Sequence, residues 1–172
     1  MTDYRSLEPL QPGFLPGRAE QHLAGQVFSG LTRFNGTSSE PTGDLAHHWE
    51  ISADGLRWHF YIRSTLHWHN GDKIETAQLR QSLTALLSQP GLGTLFRSVL
   101  RIETTHPQCL TFILHQPDYW LAHRLATYCS RLAHPDYPVV GSGPFRLSVF
   151  EPELVRLESH EQYHLGHPLL KA

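Results

Sequence analysis

The chain has 172 residues and a mass of 19.6 kDa, enough to bury a sizeable core without disulfide or metal staples. Apolar residues make up 40% and Asp, Glu, Lys and Arg only 17%, with 13 Gly and 12 Pro, which excludes a charged disordered tail and a coiled coil. A formal net charge of −2 with no block of Lys or Arg leaves no footprint for nucleic acid, and no apolar run approaches the ~18 residues of a membrane span.

In chain order, residues 7–17 hold three prolines and two glycines, which predicts an extended segment and loop rather than a helix. Leu23, Val27 and Leu31 recur at i, i+4 and i+8, predicting an amphipathic helix within residues 18–34 that ends at Asn35-Gly36. The period then changes. Leu56, Trp58, Phe60 and Ile62 alternate with Arg57, His59, Tyr61 and Arg63 after the turn Ala53-Asp54-Gly55, predicting a β-hairpin with an aromatic inner face.

Thr76 reads as the N-cap of a helix whose Leu79, Leu83, Leu86 and Leu87 face one way, stopping before Pro90-Gly91. A short helical piece at 94–100 and a second hairpin around His106-Pro107 follow, and Asp118 reads as the cap of a helix carrying Trp120, Leu121, Leu125 and Tyr128. Residues 133–138 read as loop, and 145–147 with 154–157 as two further strands. Hairpins interspersed with helices, without regular βαβ alternation, predict an α+β fold with a mixed sheet.

Histidine is the first place to look for chemistry, because thirteen of them nearly match the fourteen Lys and Arg, and full protonation would carry the net charge from −2 to +11. His67 and His69, at i and i+2 of an extended segment, share a face and form half of a metal site. No HExxH, CxxC or third ligand at suitable spacing completes it, so the plain reading is a surface strand. His160, His164 and His167 would share a helical face, but Gly166 and Pro168 argue against that helix. Cys109 and Cys129 allow at most one bridge and read as two reduced, buried thiols. The Gly-Ser-Gly-Pro stretch at 141–144 is neither a nucleophile elbow nor a phosphate loop. Its glycines permit close backbone approach, and Pro144 fixes the entry into the next strand.

Three stretches in order then resemble the family 5 extracellular solute-binding proteins. They are Val27-Phe28-Ser29-Gly30-Leu31 followed by Leu45-Ala46-His47-His48-Trp49 and Asp54-Gly55-Leu56; Phe60-Tyr61-Ile62-Arg63 through His69-Asn70-Gly71-Asp72 to Thr76-Ala77; and Gly141-Ser142-Gly143-Pro144-Phe145 with Tyr163 and Pro168. The sequence departs from the family pattern at Asn70, where the family has Asp before Gly, and at Gln78 and Leu79, where acidic residues are usual.

The resemblance implies the first lobe of a periplasmic binding protein type II-like fold with a small accessory subdomain. Residues 1–45 and 139–172 would be first-lobe segments, with 46–138 an inserted accessory α+β subdomain. The implied activity is solute binding without turnover, cofactor or metal, in the ligand-sensing part of an SgrR-type transcriptional regulator. The alternatives are a lobe of an ABC-importer receptor for peptides or similar solutes and, third, a histidine-dependent metalloenzyme. The implied partners are a small polar solute of the sugar phosphate or peptide class, the second lobe of the full-length protein, and DNA only through an N-terminal domain absent here. No membrane partner is implied. Residues 1–18 lack the basic start and apolar stretch of an export signal, so the expected location is cytoplasmic, or periplasmic for the importer alternative. The implied ligand face is Gly17, Arg18 and Gln21 with Gly141, Ser142 and Gly143 on the same side.

Overall fold

A computed structural model describes residues 10–13, 17–151 and 153–168. The expected opening loop therefore lies mostly outside the described residues, and those of it that are described join no helix or strand. Helix α1 (Arg18–Val27) is followed by two short strands, β1 (Thr32–Arg33) and β2 (Thr42–Gly43). α1 ends earlier than the apolar spacing predicts. Phe28 is already extended, Ser29 bridges to Leu132, and the Leu31 carbonyl accepts the amides of Asp44 and Ala46, so tertiary pairing draws residues 28–31 out of the helix. Leu31 is still buried, because an extended segment satisfies its burial as well as a helix does.

The predicted hairpin is β3 (Ala46–Ile51) with β4 (Arg57–Ile62), and Trp58, Phe60 and Ile62 are buried while Arg57 is exposed. Leu56, expected on the same inner face, is only half-buried and precedes the strand, because its amide is held in the turn by Asp54 Oδ1. Helix α2 (Thr76–Leu87), helix α3 (Leu92–Leu95), strands β5 (Val99–His106) and β6 (Cys109–Leu114), and helix α4 (Leu121–Leu125) follow. A 3-10 turn (Tyr128–Ser130) leads to the strands β7 (Phe145–Glu151) and β8 (Leu154–Ser159). The α+β class holds. The sheet order is β3-β4-β6-β5 with β1-β2 and β7-β8 as separate ribbons, and every pairing among these strands is antiparallel rather than mixed. Hairpins join β3 to β4, β5 to β6 and β7 to β8, and the two sheet hairpins meet antiparallel along β4 and β6.

The main core runs from Leu31 to Leu132 and gathers the packed rings of Trp58, Phe60 and Phe112 with Leu79 and Leu83 of α2. A smaller core joins Leu10, Ala24, Val27, Phe28 and Ala133 to Leu147, Phe150 and Leu157. Cys109 and Cys129 are buried and free. Thr76 is not the cap of α2. Glu75 is, and the Thr76 hydroxyl instead donates to the Pro107 carbonyl at 2.6 Å, tying α2 to the β5–β6 turn. Asp118 accepts the Trp120 amide but stands before a helix of five residues only, with Tyr128 beyond it.

Gln78 is the polar pivot of this region, since its Oε1 accepts both the Glu75 amide at 3.0 Å and the indole N–H of fully buried Trp68 at 3.1 Å. Removing the acceptor leaves a buried donor unpaired. Gln78→Ala is therefore expected to lower stability by about 1 to 3 kcal/mol in urea unfolding.

Candidate functional site

The two halves of the expected ligand face lie at opposite ends of α1. Gly17 is its N-cap, Arg18 is exposed in the first turn, and half-buried Gln21 donates its amide to the Gly17 carbonyl at 3.1 Å. Residues 141–143 instead pack on the last turn. The Gly143 amide donates to the Val27 carbonyl at 2.9 Å, and a Cβ on Gly141 would stand 2.1 Å from that same oxygen. Nine helical steps separate Arg18 from Val27, about 13.5 Å at the helical rise. The structure thus brings the glycines together with α1 but not with Arg18. Their close approach is to helix backbone, and Ser142 is fully buried.

Residues 141–144 are also gripped from the other side by two histidines. The His69 amide donates to the Gly141 carbonyl at 2.9 Å, and its Nε2 donates to the Gly143 carbonyl at 3.0 Å. His160 Nδ1 donates to the same oxygen at 3.1 Å, and the two rings meet edge to face at 4.8 Å. Burial pushes His69 down to about 4, against the opposing effect of its hydrogen bond to Gly143. His160 is lowered for the same first reason. A concavity of about 380 Å³ opens beside this pair, lined by His69, Asn70, Arg146, Ser159, His160 and Gln162 among others. His67 bridges through its backbone to Lys73, and no group of three or more His, Cys, Asp or Glu among the described residues, His67 and His69 included, is placed to hold a metal.

A second polar cluster escaped sequence reasoning. Asp44 is buried, and its Oδ2 accepts the Gly30 amide and Arg131 Nη1, both at 3.1 Å, while Oδ1 accepts His164 Nε2 at 2.8 Å. Arg63 Nε donates to the Asp44 carbonyl at 2.7 Å. Burial first, and then the Asp44 charge, push the adjacent Tyr163 phenol up to about 12. Asp44, Arg131 and His164 are distant in sequence, and a lone Asp after a glycine carries no local signal.

Residues 40–172 match the family described as bacterial extracellular solute-binding proteins, family 5 Middle. The chain belongs to this family. It is 72% identical over 98% of its length to protein YbaE of Escherichia coli (strain K12). It is 32% identical over 93% of its length to the HTH-type transcriptional regulator SgrR of Yersinia pestis (strain Pestoides F). In both cases it spans only about 30% of the relative's length. Among solved structures, MoaA of A. tumefaciens R10 in complex with mannopinic acid superimposes with a TM-score of 0.86 at 22% identity, over 96% of this chain and 37% of that one. AppA of Bacillus subtilis in complex with a nonapeptide gives 0.80 at 17% identity, over 97% and 36%. These likenesses establish the fold: the chain is built as part of a family 5 solute-binding domain. Its relatives are solute-binding proteins and a transcriptional regulator. No helix among the described residues is long and apolar enough to cross a membrane.

Proposed function

We propose that this chain is the first-lobe part of a ligand sensor in an SgrR-like transcriptional regulator, binding a small polar solute without turning it over. The observation that carries this reading is the 32% identity to SgrR across 93% of the chain. Closure of a second lobe over the solute would bias the orientation of DNA-binding domains elsewhere in the full-length protein, in the cytoplasm. An importer receptor in the periplasm is the second reading, favoured by structural neighbours that hold a nonapeptide and mannopinic acid. In this reading residues 1–45 and 139–172 are first-lobe segments around an accessory subdomain 46–138. The smaller core, which joins α1 to β7 and β8, favours grouping those elements, although Leu31 and Leu45 pack in the main core.

Within that reading, Gly17, Arg18 and Gln21 form the solute-facing end of α1, while residues 141–143 set the position of the helix from its other end. An exposed guanidinium in the first turn of α1 suits an anionic group. Arg18→Ala in the full-length protein is expected to weaken binding of a sugar phosphate by about 1.5 to 3 kcal/mol in calorimetry, the scale of a charged hydrogen bond, with the ligand-free melting temperature unchanged. The wider test is a thermal-shift comparison of sugar phosphates and short peptides. Stabilisation by peptides alone would favour the importer reading.

A further inference from the structure

Three separate segments meet at the Gly143 carbonyl. His69 follows β4 in the chain, His160 directly follows β8, and residues 141–144 run between them and the last turn of α1. The carbonyl can only accept, so each bond assigns a proton to one ring nitrogen: Nε2 of His69 and Nδ1 of His160. Both lone pairs of the oxygen are thereby used. Backbone bonds reinforce the junction, from the His69 amide to Gly141, from the His160 amide to Pro144 at 2.8 Å, and from the Gly143 amide to Val27.

The surroundings hold these rings neutral. His160 is buried, and its second nitrogen, Nε2, is enclosed with no hydrogen-bond partner, so a proton placed there would be an unsolvated charge. His69 faces His160 and Arg146, and His160 faces Arg146, His67 and His164. Of the acidic groups nearby, Glu158 is already engaged by Arg146 at 2.6 Å, Asp44 by His164 and Arg131, and Glu161 lines the open concavity. Two imidazolium rings 4.8 Å apart beside a guanidinium would repel each other.

We propose that His69, His160 and the Gly143 carbonyl form a pH-sensitive clasp, which in its neutral form holds residues 141–144 against α1 and on acidification lets that crossing open. The clasp is a property of this chain alone and stands whether or not a solute is bound. The sign follows from the titration. An imidazole freed by opening titrates near 6.5 and the clasped His69 near 4, so the closed form is favoured above pH 6.5 and loses ground progressively from 6.5 down to 4.

Hydrogen exchange on the full chain, corrected for intrinsic rates, reads this directly. The amides of Gly143 and His160 are expected to lose about 30-fold in protection between pH 7.5 and pH 5 from His69 alone. The amides of β4 and β6 should hold theirs. His69→Gln and His160→Gln keep an N–H donor without a titrating ring, and each should flatten the response. Unchanged protection at Gly143, a loss shared equally by β4 and β6, or the same loss in the glutamine variants overturns the proposal. Should the variants fail to fold, an NMR titration of the wild-type rings decides it: His69 titrating below pH 5 supports the clasp, and His69 titrating at 6 or above removes it.

Discussion

Asp44→Ala is expected to destabilise the fold by about 3 to 5 kcal/mol, the range for removing one partner of a buried ion pair. The carboxylate is almost wholly enclosed, and on its removal Arg131 and the Gly30 amide lose their acceptor inside the protein. His164, whose side chain is equally enclosed, loses its partner too. The loss reaches across the chain, because Asp44 ties the start of the main sheet to Arg131 in the middle and to the segment after β8. Chemical denaturation measures the stability, and limited proteolysis should show cleavage after residue 159 appearing in the variant before the β3-β4-β6-β5 sheet is lost. Asp44→Asn keeps one acceptor and should fall between the two. A change below about 1 kcal/mol in Asp44→Ala would mean that water replaces the carboxylate at little loss.

Gly141→Ala is expected to be nearly as damaging, by about 3 kcal/mol. The new methyl would stand 2.1 Å from the Val27 carbonyl oxygen and 2.7 Å from the Phe28 ring. Neither the helix backbone nor a fully buried ring can yield without moving its neighbours, so the cost is that of overpacking at its upper range. Gly25→Ala, on the same helix, meets nothing within 4 Å and replaces a helix-interior glycine. It should stabilise by about 0.5 to 1 kcal/mol. Paired urea titrations of the two variants separate a close-approach requirement from a general intolerance of α1 to substitution. Equal behaviour of the two would remove the special role assigned to residues 141–143.

By itself the sequence determined those features in which side-chain period and local turn chemistry agree. The alternation at Trp58, Phe60 and Ile62 announced β4, and Leu79, Leu83 and Leu86 announced the buried face of α2, because both patterns are forced by the backbone period. The order of three motif blocks likewise carried the family, and with it the class of fold. Tertiary structure decided the rest. It stopped α1 at Val27 by pairing residues 28–31 elsewhere, and it set the cap of α2 at Glu75, which closes a capping box with Gln78, while the Thr76 hydroxyl donates to Pro107. It parted Arg18 from residues 141–143 by setting them at the two ends of one helix. It also gathered Asp44, Arg131 and His164, and His69 with His160, from positions far apart in the chain. Hydrogen bonds between distant residues leave no periodic trace in a sequence, since only the packed fold sets which groups lose water together and must find each other.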